Sequence, residues 1–439
     1  MVTGLRLAGG SILSAAGDAA TGDLAIRAGR IAESRPDDEI VDVTGHLVLP
    51  GLANRHDHLR SLLPASRAAE TLPLPAVVER AGAAGAAATP EHYRALTALG
   101  AARMVLGGVT SVIDHIYPVH VPGMIEAAAA GHDDVGLRAS LAVGLMDHGH
   151  PDVVQDPETT IATVARIADD TVPAERLYLA PVSLRQSSLD VYTAAVRAAD
   201  RLGIRLYTHI AESAAEVDAC VAEHGLRPVE LLHSIGFLRP GTTVVHAVQL
   251  SEHERDLLAT TGTAVAYCPS NHLRFAKGFA PVRDLLDRGV RVGLGIDGMV
   301  DGFTEMRQAV YAQAQATGIT GALTTVEAYR MAVGGELAVG ERADVVVVAQ
   351  DRLEVQPIAD PLWTLVHRMV GADVTDVYVD GTPVVRQRTL TRVSHADIAE
   401  QAAAATAAIA SACGIDLPPG GSAATPVNPV RSGNRAGSR

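Results

Sequence analysis

Eight short β-branched runs end near residues 56, 115, 145, 182, 209, 246, 268 and 297, and most are separated by stretches such as LDVYTAAVRAADRLG and APVRDLLDRG. Apolar residues at three- and four-residue spacing mark those stretches as amphipathic helices. Strand ends alternating with helices over roughly 240 residues match the length of a (β/α)8 barrel. The flanks differ in texture. Residues 4–50 alternate short apolar runs (LRLAGGSIL, DLAIRAGRI, IVDVTGHLVLPG) with Gly and Asp turns, the pattern of small antiparallel strands, and similar runs return at 343–394. The expected α/β architecture is a TIM-like barrel over 51–339 and a composite β-sandwich from 1–50 and 340–395. An Ala-rich helix over 396–413 and a flexible tail over 414–439 follow.

Composition removes several classes of function. With 36 basic and 50 acidic residues the formal charge is -14, which offers no electrostatic footprint for nucleic acid or an anionic membrane. No run approaches the 18 apolar residues of a membrane span, and the Gly- and Ser-broken start does not read as a signal peptide. Cys220, Cys268 and Cys413 are scattered and odd in number, so they build neither a disulfide framework nor a cysteine zinc site. A cytoplasmic protein is expected. Lys277 is the only lysine among the 36 basic residues.

Chemistry concentrates at the strand ends. PGLANRHDHLR carries His56 and His58, which share one face of a strand and converge on one point. Alone this pair is weak, because His148 and His150 form a second His-x-His. Further strands, however, end in His209 (RLYTHIAES), His246 (TVVHAVQLS) and Asp297 (VRVGLGIDG). In a (β/α)8 barrel those ends meet at one mouth, where active sites of the fold lie. His56, His58, His209 and Asp297 then offer three nitrogens and one oxygen to a divalent ion and leave room for water, the pattern of a catalytic site. Zinc and ferrous iron suit such donors alike.

PGLANRHDHL, THIAES, VVHAVQLS, CPSNHLRFAKG and VGLGIDG together resemble the amidohydrolase superfamily, in its deaminase and chlorohydrolase-like branch. The likeness runs over about residues 5–390 and takes in ERADVVVVAQ and VTDVYVDGTPVV. It implies a metal-dependent hydrolase, most simply an aminohydrolase that releases ammonia from a purine, pyrimidine, triazine or pterin-like ring. Glu212, three residues after His209, matches a carboxylate used as proton shuttle; the same resemblance implies that Asp297 accepts a proton from the attacking water and that His246 orients that water or a substrate oxygen. Binuclear members bridge their metals through a carboxylated lysine on a middle strand; residues 1–276 contain none, so one metal is expected. His115, Tyr117, Asn271 and His272 fall where related enzymes line or shape the substrate pocket. Family resemblance also implies a homo-oligomer.

Two segments depart from the family pattern. LAPVSLRQSS follows the fourth strand in place of the usual histidine- or cysteine-bearing segment, which puts Arg185 and Gln186 within reach of a substrate carbonyl or carboxylate. The stretch TTVEAYRMAVGGELAVGERADV is shorter than its counterpart, which bears on domain packing more than on chemistry. Alternatives on the same fold are loss of chloride or an alkylamine, opening of a cyclic amide, or a non-catalytic scaffold. His148 and His150 fit a pocket wall or an exposed loop equally. Phe275, Phe279 and Phe303 cluster after the last strands, mild support for a flat ring substrate.

Overall fold

The structure is a computed structural model that describes residues 4–62, 72 and 74–417; most of the expected tail lies outside the described residues. The chain opens with β1 (Leu5–Leu13), β2 (Ala19–Arg27), β3 (Arg30–Ala32), β4 (Glu39–Asp42) and β5 (His46–Pro50). The barrel follows as β6 (Leu52–Asp57), β7 (Val109–Ile116), β8 (Arg138–Leu145), β9 (Leu177–Pro181), β10 (Arg205–Ile210), β11 (Thr243–His246), β12 (Ala264–Tyr267) and β13 (Val292–Leu294). The chain then returns as β14 (Val345–Ala349), β15 (Val374–Val379), β16 (Thr382–Arg386) and β17 (Thr389–Leu390).

Strands β6 to β13 pair in sequence order as an all-parallel eight-stranded sheet. Helices lie between most of them, as the amphipathic stretches require; LDVYTAAVRAADRL forms Leu189–Leu202, capped by Ser188 and closed by Gly203 in the left-handed region (φ 67). Side chains fill the barrel rather than leaving a pore: Ile113, Ala142, Tyr178, Ala180, Tyr207, Val245, Ala266 and Cys268 form one buried interior cluster. The seam between β13 and β6 closes without a regular ladder. Ile296 N–H donates to Asn54 Oδ1 (2.9 Å), Asp297 N–H to the His56 carbonyl (3.1 Å) and Gly298 N–H to Asp57 Oδ1 (3.0 Å). Gly295 permits this approach, since a Cβ there would lie 2.7 Å from Cys268 Sγ and 2.9 Å from His56 Cβ. The seam therefore sets Asp297 beside His56.

Both flanks of the chain build one nine-stranded sheet, joined where β5 pairs antiparallel with β14. The expected run of purely antiparallel strands is corrected: β1 pairs parallel with β4 over residues 5–8 and parallel with β5 at residues 11–12. A bulge between Leu7 and Gly10 lets β1 change partners, the corner by which a sheet folds over its own small core of Leu7, Leu24, Ile26, Val48, Val345 and Tyr378. The shortened segment stays tied to the barrel, with Gly334 N–H donating to the Gly51 carbonyl at 2.8 Å. The Ala-rich helix forms over His395–Ala412 and buries Ile398, Ala402, Ala405 and Ile409. Among the described residues no helix is long and apolar enough to cross a membrane.

Candidate metal centre

His56, His58 and His209 meet at the C-terminal mouth of the barrel. One nitrogen from each, together with one from His115, lies within 4.8 Å of the others; His56, His246 and Asp297 form a second such group that shares His56. His56 Nε2 stands 3.3 Å from His209 Nε2 and 3.3 Å from Asp297 Oδ1, and His58 Nε2 stands 3.9 Å from that same oxygen.

Tautomers decide what these nitrogens offer. His58 Nδ1 donates to the His115 carbonyl (2.8 Å) and His209 Nδ1 to the Val182 carbonyl (2.7 Å), because a carbonyl only accepts. His56 Nδ1 meets the Tyr207 hydroxyl at 2.8 Å, and that hydroxyl donates to the Arg55 carbonyl at 3.0 Å, so it accepts from His56. All three Nδ1 atoms therefore carry the proton, and three Nε2 lone pairs face one point next to a carboxylate. Burial keeps His58 and His209 neutral: it is the main cause that draws His58 down to about 4 and His209 to about 3, with repulsion from neighbouring imidazoles adding to it. Neutral imidazoles with hydrogen-bonded far nitrogens, plus one carboxylate, fit a divalent cation. Without one, the facing lone pairs only repel.

His115 differs. It is fully buried beside His209, with ring centroids 4.8 Å apart, yet neither ring nitrogen has a hydrogen-bond partner among the described residues. Tyr117 packs edge-on to His115 (4.8 Å) and His58 (5.2 Å).

His246 belongs to another network. Val245 points into the barrel, so regular alternation would turn His246 away; its left-handed backbone (φ 74) breaks the alternation and brings the ring inward. Ala211 (φ 50), Ala247 (φ 49) and Asp297 (φ 50) share that uncommon conformation, local strain of about 1–3 kcal/mol each that clusters at this mouth. His246 Nδ1 lies 3.1 Å from His272 Nε2, and its Nε2 lies 3.4 Å from Glu212 Oε1. Its Nε2 thus faces the Glu212 carboxylate and stands 4.0 Å from Asp297 Oδ2.

Glu212 is buried between cations, with Lys277 Nζ 2.5 Å from Oε1 and Arg185 2.6 Å from Oε2. Burial alone would raise its pKa, but Lys277 and Arg185 outweigh it and hold the carboxyl at about 2. Glu216 lies behind, accepting the Ala211 and Glu212 amides; burial pushes it up to about 7 against the pull of Arg185. Asn271 donates to the Asp297 carbonyl (3.4 Å) and accepts from Lys277. The Gln186 side chain accepts from Ser183 Oγ (3.4 Å) within its own loop, and its backbone carbonyl accepts the amides of Asp147 and His148 from the loop after β8.

Among the described residues, every sequence-expected ligand reaches this mouth. His148 does not: it is mostly exposed and pairs with Asp147. The phenylalanine cluster also dissolves, since Phe303 is fully buried in the main core. Sequence reasoning missed Lys277 and Tyr207 as site residues. Tyr207 stands two positions before His209 on β10, hence on the same face, and Lys277 stands out as the one lysine of the chain.

The amidohydrolase family model matches residues 47–384. An 8-oxoguanine deaminase of Pseudomonas aeruginosa is 31% identical over 404 residues, covering 83% of this chain and 90% of the relative. A 5-methylthioadenosine/S-adenosylhomocysteine deaminase of Halobacterium salinarum is 30% identical over 435 residues, covering 93% and 99%. Among solved structures, an adenosine deaminase from Xanthomonas campestris with bound zinc superposes with a TM-score of 0.83 at 25% identity, covering 93% of this chain and 98% of that one.

Proposed function

The chain belongs to the amidohydrolase family, in its deaminase-like branch of hydrolases acting on carbon–nitrogen bonds, and from that premise we propose that it deaminates a nitrogen heterocycle at a single metal ion, releasing ammonia. The observation that carries this reading is the convergence of three Nε2 lone pairs and Asp297 beside an ionised Glu212. His56, His58, His209 and Asp297 would hold one divalent cation, zinc or ferrous iron, which when bound would supply a Lewis acid and acidify the attacking water towards neutral pH. Asp297 takes up the proton that the attacking water gives. Glu212 carries a proton to a ring nitrogen and on to the departing amine. His246, whose Nε2 faces Glu212, orients the water or a substrate oxygen. His115, with two unpartnered nitrogens, and Tyr117 face the ring; Arg185 and Gln186 meet a carbonyl or carboxylate on it; Asn271 and His272 shape the loop beneath.

A single ion is favoured because no lysine precedes residue 277, and Lys277 itself is engaged by Glu212. Deamination is favoured over loss of chloride because a leaving amine needs the proton that Glu212 supplies. Both curated relatives are named as deaminases. The reading extends to a cytoplasmic homo-oligomer acting on a small molecule, with no nucleic-acid or membrane partner, in keeping with the net charge of -14. Glu212→Gln tests the proton role: bound metal stays at the wild-type level while turnover falls by on the order of 10²–10⁴. Turnover retained in that variant contradicts the assignment.

A further inference from the structure

Lys277 is the only lysine in the 439 residues, and its side chain is 4% exposed. Its backbone is fixed on both sides: its N–H donates to the His272 carbonyl (3.0 Å) and its carbonyl accepts from the Gln249 side-chain amide (2.8 Å). Its Nζ lies 2.5 Å from Glu212 Oε1, donates to Asn271 Oδ1 and stands 5.3 Å from the Phe275 ring centroid. Asn271 reaches on to the Asp297 carbonyl, so one ammonium ties the carboxylate after β10 to the residue after β13.

The second cation on Glu212 is placed differently. Arg185 meets the other carboxylate oxygen, Oε2, and its side chain is 34% exposed. Uncovering a buried carboxylate completely is strongly unfavourable, whereas exchanging one of two cations is not. A ligand oxygen entering the mouth can therefore draw Arg185 away, but it cannot reach Lys277 without first displacing Glu212 or Asn271.

We propose that Lys277 is a positioning residue that holds Oε1 of Glu212 and keeps the carboxylate compensated while Arg185 leaves it for an acceptor oxygen on the substrate. This deepens the reading of Glu212 as proton carrier and rests on it. The substrate class that follows is an aminated ring that also bears an acceptor oxygen (oxo, ionised lactam or carboxylate), since such an oxygen offers Arg185 a partner in exchange for Glu212.

The two cations then have separable kinetic signatures on whichever ring releases ammonia. Lys277→Met lowers kcat by on the order of 100-fold with KM and metal content close to wild type, and it moves the acidic limb of the pH profile upward. Lys277→Arg restores part of the loss. Arg185→Met chiefly raises KM, and only for rings that carry the acceptor oxygen. Because the chain has one lysine, protein labelled with 15N-lysine gives a single side-chain ammonium signal, and Glu212→Gln shifts it. That arm needs no turnover, so it separates failure of the pairing from failure of the deaminase reading. A Lys277→Met enzyme with kcat within about threefold of wild type, or a lysine signal indifferent to Glu212→Gln, overturns the proposal.

Discussion

At the end of β10, Glu212 stands three positions after His209, and burial acts on them in opposite ways. His209 is stripped of charge and offers a lone pair; Glu212, equally enclosed, stays ionised because Lys277 and Arg185 stand against it. The same contrast divides the mouth. Around His56 the partners of the rings are carbonyls and a tyrosine hydroxyl, which fix tautomers without adding charge. Around Glu212 the partners are ammonium and guanidinium groups, which fix a charge. On the proposed reading, one neighbourhood suits a cation to be bound and the other a proton to be moved.

Changes that confuse the two neighbourhoods test that division. The largest effect is expected from His209→Ala, which removes one of three converging lone pairs. Bound metal should fall from about one per chain to near none, measured by elemental analysis, and turnover should fall with it. Metal retained at the wild-type level would remove His209 from the donor set. A smaller loss should follow Tyr207→Phe, which deletes only the hydroxyl that accepts from His56 Nδ1. Loss of such a supporting partner costs roughly 10–100-fold in metal affinity, and competition with a chelator of known affinity measures it.

Tyr207 also shows where sequence stops. The strand ends, the barrel, the joining of the two flanks and all four proposed ligands were legible, because period-2 strands and polar terminations are local signals. The acceptors that fix the rings were not: Val182 and His115 contribute backbone carbonyls to His209 and His58, and the Arg55 carbonyl orients the Tyr207 hydroxyl that meets His56, and a carbonyl carries no sequence signature. The inward turn of His246 was hidden as well, because it depends on a left-handed backbone at a residue other than glycine, which is uncommon and leaves no mark in the sequence. The parallel pairing of β1 lay out of reach for a related reason: alternation marks a strand without marking the direction of its partner.

Acid should sharpen the contrast. His209 titrates at about 3 when folded and near 6.5 when unfolded, so below pH 6.5 the unfolded chain binds the extra proton first and stability falls as pH falls. At pH 5 this one group removes about 2 kcal/mol relative to pH 7, to be read from denaturant unfolding of chelator-treated protein. Glu212, held at about 2, adds its own loss only below its ordinary carboxylate range, so the imidazole effect comes first on acidification. Glu216, raised to about 7, gains stability over the same range, so the His209 share is read as the difference between wild type and His209→Gln; an identical change from pH 7 to 5 in both proteins would mean that His209 is not held neutral. The smallest effect belongs to His148→Ala, an exposed loop position outside both neighbourhoods, where turnover and metal content should stay within about twofold of wild type.

The most direct test of metal-dependent deamination is ammonia release from amino-substituted purines, pyrimidines, triazines and pterins, with metal-loaded protein run beside a chelator-treated control. The account predicts ammonia from one ring class, abolished by chelation and restored by zinc or ferrous iron. Metal-loaded protein that releases no ammonia across the panel, or releases it equally after chelation, would contradict it.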